Sequence, residues 1–283
     1  MRNTSKQATC FLGLIIASAP IFAQPLPYGL TRADQSTKSR DSTESRLKEF
    51  DGKYSFAAHG VDHDAHKVAL AGAFIADGRG HIINGEEDFN SVEKTATRLS
   101  LQGSYTLDTN GAGTLTLMTS EGTVQKFSFF VTPTLGKSQG ASLIADDSVF
   151  GIRGTLDKQL LVPFIDGNYN FNLDGETPDA DVMTLAGALT IANSATKNFI
   201  SGLTAVYAHF DNNDPTFIAS SPFKGALVQR PDEFGRLVIS LAFTSDGPPA
   251  SFAVYAGDGF HLRLVSIDKA AEETPSLSGF AVR

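Results

Sequence analysis

Acidic and amide side chains recur at alternate positions in one short segment, Gly85-Glu86-Glu87-Asp88-Phe89-Asn90. In an extended strand successive side chains point to opposite faces, so Glu86, Asp88 and Asn90 share one face and Glu87 lies on the other. Two carboxylates on one face could act as general acid and general base or coordinate a cation. A hydrolase or isomerase using Glu86 and Asp88 is therefore one hypothesis, although a polar outward face is the simpler interpretation.

Three histidines alternate with two aspartates in the segment His59-Gly60-Val61-Asp62-His63-Asp64-Ala65-His66. Imidazole and carboxylate groups can bind a divalent metal, which makes His59, His63 and His66 weak candidates for metal ligands. The segment falls between two predicted strands, and a flexible loop offers no fixed coordination geometry. We therefore expect a solvated polar loop, with no metal and no other cofactor.

Two tyrosines, Tyr54 and Tyr169, occupy equivalent positions in two similar segments. They are interpreted most simply as core aromatic residues whose hydroxyl groups reach a partner. With Glu86, Asp88 and Asn90 they form the set of candidate ligand-binding residues, and no residue is predicted to be catalytic. The chain has no tryptophan, so neither the Gly-x-Trp signature of lipocalins nor the tryptophans of avidin-type biotin sites are present.

The first 23 residues have the layout of a secretory signal peptide. Arg2 and Lys6 precede an apolar run from Cys10 to Ala19, and the segment finishes at Ile21-Phe22-Ala23. The run is shorter than the ~20 apolar residues that a membrane-spanning helix needs. We expect cleavage near Ala23 and a periplasmic or extracellular mature protein. Cys10 is the only cysteine, so a mature chain without it could use neither disulfides nor cysteine chemistry.

Residues 24–48 are predicted to be a disordered tether, because 31–48 is almost free of apolar side chains and mixes charged residues with serine and threonine. Removal of the first 23 residues leaves 31 acidic against 21 basic residues. A surface with this excess of negative charge repels nucleic acid and anionic membranes. The possible partners that remain are a small hydrophobic ligand or an envelope protein, and the oligomeric state stays open.

An internal repeat is the strongest signal in the sequence. Residues 50–73 and 165–188 align without gaps at an offset of 115 positions and share 11 identities in 24 positions. Weaker matches continue in the same order, including Gly103 with Gly225 and Phe127 with Phe252. The chain therefore contains two copies of one unit, at 50–158 and 164–283.

Apolar and polar residues alternate through the first unit, and Gly-rich turns separate the runs. The pattern predicts about eight strands per unit, near 52–59, 67–76, 81–89, 98–107, 113–119, 124–131, 141–145 and 149–155. Eight strands joined by hairpins favour closure, because a closed barrel has no unpaired edges. We predict two tandem eight-stranded antiparallel up-and-down barrels of lipocalin or avidin size, with β-sandwiches as the alternative, and few contacts between the two units.

The motifs of the first unit resemble a group of exported tandem-repeat β proteins common in acidobacterial genomes. The resemblance depends on the segments Asp51-Gly52-Lys53-Tyr54-Ser55-Phe56, Leu70-Ala71-Gly72-Ala73-Phe74, Asp77-Gly78-Arg79-Gly80, 85–90 and Asn110-Gly111-Ala112-Gly113. It implies the same fold and compartment and no particular reaction.

Two functional hypotheses precede the hydrolase or isomerase. The first is a non-enzymatic structural or interaction module of the envelope or exterior, favoured by duplication without a shared polar constellation. The second is a binder of a small hydrophobic ligand inside one barrel. The many phenylalanines favour the second, as do Ala69, Ala71 and Ala73, which could leave room beside them.

Overall fold

The structure is a computed structural model that describes residues 47–62, 64–131, 140–146, 151–159, 165–176, 182–194, 197–210, 215–243, 249–269 and 276–283. The predicted signal peptide at 1–23 lies outside these ranges, as do the predicted tether up to residue 46 and His63. No helix among the described residues has the length and hydropathy to cross a membrane.

Two closed antiparallel β-barrels follow each other in the described part of the chain, as predicted. The strands of barrel 1 are β1 (Asp51–Val61), β2 (Lys67–Asp77), β3 (His81–Ser91), β4 (Thr95–Leu107), β5 (Ala112–Thr119), β6 (Val124–Val131), β7 (Gly140–Ala145) and β8 (Arg153–Lys158). Those of barrel 2 are β9 (Gly167–Glu176), β10 (Val182–Ser194), β11 (Lys197–Phe210), β12 (Pro215–Gln229), β13 (Arg236–Ala242), β14 (Ala250–Ala256), β15 (His261–Ser266) and β16 (Ser276–Val282).

Each strand pairs with its neighbours in sequence, and the first strand of each unit pairs with the last. In barrel 1, Phe56 on β1 lies opposite Leu156 on β8, and in barrel 2, Leu173 on β9 lies opposite Gly279 on β16. This closure gives every strand two partners, so the sandwich alternative does not apply.

Aspartate residues cap several of the hairpins. Asp77 accepts hydrogen bonds from the backbone N–H groups of Arg79 and His81 at 2.7 and 3.0 Å, across a turn in which Gly78 has a φ of 69°. Asp232 does the same for Phe234 and Arg236 in barrel 2. Glycine adopts positive φ without a steric penalty, so an Asp followed closely by Gly specifies these tight connections.

An aromatic cluster closes one end of barrel 1, and we call it the aromatic end. The ring of Phe50, which precedes β1, stacks on Tyr54 at a centroid distance of 4.2 Å and lies 4.8 Å from Tyr105 and 5.3 Å from Phe129. The Tyr105 hydroxyl donates a hydrogen bond of 2.9 Å to the backbone carbonyl of Phe50. Leu47 packs against this core, so the last residues of the predicted tether belong to the barrel.

The two barrels contact each other side by side within one compact unit. The outer face of β2 presents Ala69, Ala71 and Ala73 to barrel 2. The barrel 2 residues in this apolar contact are Phe234, Ala253, Tyr255 and Val265. The alanines therefore let the two sheets approach closely and do not leave room for a ligand. The expectation of few contacts between the units fails, because alternation shows that a strand face is apolar without showing what covers it.

Gly103 on β4 provides a test of the predicted strand packing. A Cβ atom at this position would lie 1.9 Å from the backbone carbonyl oxygen of Thr116 on the neighbouring strand. We expect Gly103→Ala to lower the free energy of unfolding by about 1–3 kcal/mol, because backbone atoms must shift. The control is Gly151→Ala, whose Cβ would meet only a methyl group of Val61 at 3.9 Å. Equal thermal unfolding midpoints for the two variants would contradict this packing.

Candidate functional site

The outward face of β3, which carries Glu86, Asp88 and Asn90, lies against barrel 2. Asp88 is fully buried, and its carboxylate accepts hydrogen bonds from Arg236 Nε at 2.7 Å and Arg236 Nη2 at 2.9 Å. The Tyr255 hydroxyl donates to the same carboxylate at 2.7 Å, and the backbone N–H of Arg98 donates at 3.1 Å. A planar guanidinium that binds both oxygens of a carboxylate is the strongest form of such an ion pair.

Asn90 and Glu86 lie on either side of this pair. The Asn90 side-chain amide donates to the backbone carbonyl oxygens of Ser266 and Asp268 at 2.6 and 3.0 Å. Burial raises the pKa of Glu86 to about 7, and the nearby Asp232 carboxylate raises it further against the opposing effect of Arg98. Arg98 Nε lies 3.4 Å from Glu86 and its guanidinium also pairs with Asp232.

These contacts show what the three polar residues of β3 do in the structure. Asp88 carries a charge that Arg236 neutralises, and burial together with Asp88 raises the pKa of the Tyr255 hydroxyl well above its usual range. No exposed surface leads a substrate to Asp88, which has no accessible area. The outward polar face predicted for β3 is therefore a joint between the barrels, which we call the Asp88–Arg236 joint.

A cavity of about 180 Å³ lies inside barrel 1 at the end opposite the aromatic end. We call it the barrel 1 cavity. Its apolar walls come from β2, β3, β4, β6, β7 and the residue just before β8. They consist of Val68, Leu70, Phe89, Leu99, Phe127, Ala145 and Ile152. Its rim includes the exposed residues Lys94, Thr123 and Val124, so the cavity communicates with solvent.

One carboxyl group lies in the wall of this cavity. Glu87 is only 1% exposed, and its Oε1 accepts a hydrogen bond of 2.8 Å from the side-chain amide of Gln125. Burial raises the pKa of Glu87 to about 8, although the Gln125 hydrogen bond opposes the shift, and the negative charge of Asp88 adds to it. At neutral pH Glu87 is therefore mostly a neutral carboxylic acid, which can donate a hydrogen bond.

Neither predicted tyrosine contacts the cavity. Tyr54 is fully buried at the aromatic end of barrel 1, and burial raises its pKa. Tyr169 is a core residue of barrel 2, and its hydroxyl donates a hydrogen bond of 3.0 Å to the backbone carbonyl of Ile165. Both are core aromatic residues, and the Tyr169 hydroxyl has a backbone partner as expected.

The histidine segment is organised by Asp62. The Asp62 carboxylate accepts hydrogen bonds from the backbone N–H groups of Asp64 and His66 at 3.0 and 2.8 Å. His66 lies 3.8 Å from Glu176 of barrel 2, while His59 lies on β1. Among the residues that the structure describes, no three His, Cys, Asp or Glu side chains are grouped closely enough to bind a metal.

The two barrels differ at the positions of the Glu87–Gln125 pair. Gly72 lies opposite Glu87 on the neighbouring strand, whereas its repeat equivalent Gly187 lies opposite Thr204. The repeat alignment places Ala250 at the position of Gln125. Aromatic rings occupy the interior of barrel 2. They belong to Phe171, Phe223, Phe243 and Phe252, whose successive centroids are 5.7, 5.5 and 6.3 Å apart.

Sequence reasoning did not select Glu87 or Gln125. The signal for Glu87 was its strand face, because the alternation that sends Glu86 and Asp88 outward sends Glu87 inward beside Phe89. A carboxyl group on the apolar face of a strand is the exception that marks a polar site within a core. Gln125 carried a weaker signal, since it lies at the start of β6, where an amide could equally be exposed.

No family model and no curated protein matches this chain. Among solved structures, kievitone hydratase from Nectria haematococca aligns over 82% of this chain and 88% of its own, with 8% sequence identity and a TM-score of 0.27. With a TM-score this low, the alignment supports no inference about this chain.

The Asp88–Arg236 joint predicts a large loss of stability when one partner is removed. We expect Arg236→Leu to lower the free energy of unfolding by about 3–5 kcal/mol, because it leaves the buried Asp88 charge without its counter-ion. The double variant Asp88→Leu, Arg236→Leu should recover much of this loss, since it leaves no unpaired charge. Lys94→Ala is the control. It removes an exposed ion pair with Glu121 at 2.5 Å and should cost less than about 1 kcal/mol. Denaturant unfolding measures all three, and similar losses for Arg236→Leu and Lys94→Ala would contradict the joint.

The raised pKa of Glu87 predicts how the free energy of unfolding changes with pH. Its pKa is raised from an ordinary value of 4.5 to about 8, so the folded state holds a proton that the unfolded state releases between these values. The free energy of unfolding should therefore fall from pH 5 to pH 8 by an amount on the order of a few kcal/mol, and level off above that range. Glu87→Gln should make this slope shallower and leave the part below pH 7 that the raised pKa of Glu86 contributes, whereas Glu93→Gln at an exposed position should keep the full slope. Parallel profiles for wild type and Glu87→Gln would show that Glu87 is ionised in the folded protein.

Proposed function

We propose that this chain is an exported, non-enzymatic binding protein whose first barrel holds a small, largely apolar molecule. The observation that carries the proposal is the barrel 1 cavity of about 180 Å³, with apolar walls and a rim at the solvent. An engineered protein cavity of about 150 Å³ binds benzene, so the barrel 1 cavity has the size of a ligand with one ring. The interior of an eight-stranded barrel is known to accommodate one small ligand.

The positions of the acidic residues favour binding over catalysis. A general acid and base must reach the same substrate atoms, yet Asp88 faces barrel 2 and Glu87 faces the cavity on the other side of β3. Glu86 lies beside Asp232 of barrel 2 and Asp88 binds Arg236, so both lie at the contact between the barrels. The hydrolase or isomerase hypothesis for these two residues therefore receives no support from their geometry.

Export is part of the proposal because of the sequence of residues 1–23. The basic start, the apolar run and the small residue Ala23 before Gln24 are those of a secretory signal peptide. An exported carrier of an apolar molecule also needs a fold that stays closed without disulfides, and two barrels without unpaired edges meet that need.

A structural or interaction module is the second candidate function. It is favoured by a groove between the barrels, where Ile144 on β7 is 62% exposed and Phe280 on β16 is 50% exposed. Monomeric proteins seldom group large apolar side chains at the surface without a use. Because both barrels build this groove, a partner bound there would require the pair of barrels in their fixed arrangement.

Native mass spectrometry of the protein purified from its own host tests the main proposal. We expect a chain that begins at Gln24 and carries a small organic molecule in substoichiometric or full amount. Ala145→Phe should abolish the added mass, because Ala145 lines the cavity and a larger side chain would fill it.

The matched control is Ile144→Phe, one residue earlier on the same strand and exposed on the outside of barrel 1. It should keep the bound molecule. Loss of the added mass in both variants, or retention in both, would contradict binding inside barrel 1. A chain that keeps residues 1–23 would contradict export.

A further inference from the structure

Two polar side chains in the barrel 1 cavity each have an atom without a hydrogen-bond partner among the described residues. Glu87 Oε2 and Gln125 Oε1 are both buried from solvent, and neither has such a partner. The other atoms of the same groups bond to each other, since Gln125 Nε2 donates to Glu87 Oε1. Buried polar atoms without partners are rare, because such an atom loses its hydrogen bonds to water and gains none in the protein.

We propose that Glu87 and Gln125 recognise a neutral hydroxyl group on a ring-sized apolar ligand, so that the ligands of barrel 1 are alcohols or phenols. This inference rests on the proposed binding function of the cavity. The protonated Glu87 supplies a donor at Oε2, and Gln125 supplies an acceptor at Oε1. A hydroxyl group is the smallest group that accepts one hydrogen bond and donates another, so it satisfies both atoms at once.

The charges around the cavity disfavour ionic ligands. The ammonium group of Lys94 lies at the rim, where it pairs with Glu121, and Lys126 is exposed at the start of β6. Asp88 lies on the opposite face of β3, and Arg236 neutralises it. No cation is buried beside Glu87 in the described part of the cavity wall. A carboxylate ligand would therefore face a carboxylic acid and an amide oxygen without a counter-ion, which is costly.

The repeat supplies an internal comparison. Barrel 2 has Thr204 and Ala250 at the corresponding positions, so the acid and amide pair belongs to barrel 1 alone. A structural role common to both barrels would not be expected to depend on this pair, because barrel 2 closes without it. The Glu87–Gln125 pair is therefore better explained as part of a ligand-binding site than as a requirement of the barrel fold.

The test compares benzyl alcohol with ethylbenzene, which has the same number of non-hydrogen atoms and no polar group. Both are titrated into the isotope-labelled two-barrel chain, with binding followed through the backbone amide signals of β3 and β6. The measured quantity is the ratio of the ethylbenzene Kd to the benzyl alcohol Kd. We expect Glu87→Leu and Gln125→Leu each to lower this ratio at least tenfold, because one partner of the hydroxyl is lost. Glu93→Ala, at an exposed position outside the cavity lining, should leave the ratio unchanged.

Glu87→Gln keeps a neutral hydrogen-bond donor at position 87. It therefore distinguishes a loss of hydroxyl recognition from a loss of folding. It should retain most of the benzyl alcohol affinity, and its affinity should not change between pH 6 and pH 9. The wild-type affinity for benzyl alcohol should fall over the same range as Glu87 loses its proton, since benzyl alcohol itself does not ionise there. Benzoate and benzylamine should bind more weakly than benzyl alcohol to the wild type at pH 7.

The outcomes of this test distinguish hydroxyl recognition from the proposed binding function of the barrel 1 cavity. If ethylbenzene binds and the ratio is unchanged in both leucine variants, the cavity is a binding site but hydroxyl recognition is wrong. Tightest binding of benzoate or benzylamine would also overturn hydroxyl recognition. If no compound of the set binds the wild type, the cavity is not a ligand site and both proposals fail.

Discussion

The buried ion pair between Asp88 and Arg236 determines how the two halves of the molecule are arranged. A charge without accessible surface is tolerated only where a counter-ion and hydrogen bonds replace water, and here a guanidinium and the Tyr255 hydroxyl do so. These partners come from two different strands of barrel 2. The pair can therefore form only when the barrels meet in one orientation, and the alanine face of β2 allows the close approach that this orientation requires.

Strand β3 connects this joint to the cavity. Its side chains alternate between the two faces, so Asp88 contacts barrel 2 while Glu87 lies inside barrel 1. The negative charge of Asp88 adds to the effect of burial in raising the pKa of Glu87. The contact between the barrels thus contributes to the protonation state of a group in the cavity. An isolated barrel 1 would expose Asp88 to solvent, and water would screen much of that contribution.

Much of the fold could be predicted from the sequence, because alternation and turn chemistry are local. The predicted strands at 67–76 and 124–131 match β2 and β6 to within one residue, and only the eighth strand is clearly displaced, from 149–155 to Arg153–Lys158. The site could be predicted only in part. Periodicity separated Glu87 from Glu86 and Asp88, but which face is covered depends on Arg236, about 150 residues later in the chain. A pattern within one strand carries no information about so distant a partner.

Duplication explains why the two barrels can differ while sharing one fold. Barrel 2 has an aromatic interior around Phe223, Phe243 and Phe252, and it contributes Arg236 and Tyr255 to the joint. Barrel 1 concentrates its rings at the aromatic end and leaves a cavity at the other. An unfilled cavity lowers stability, because its walls lack packing partners. The apolar core of the second barrel and its apolar contact with the alanine face of β2 are one way to offset that loss without closing the cavity.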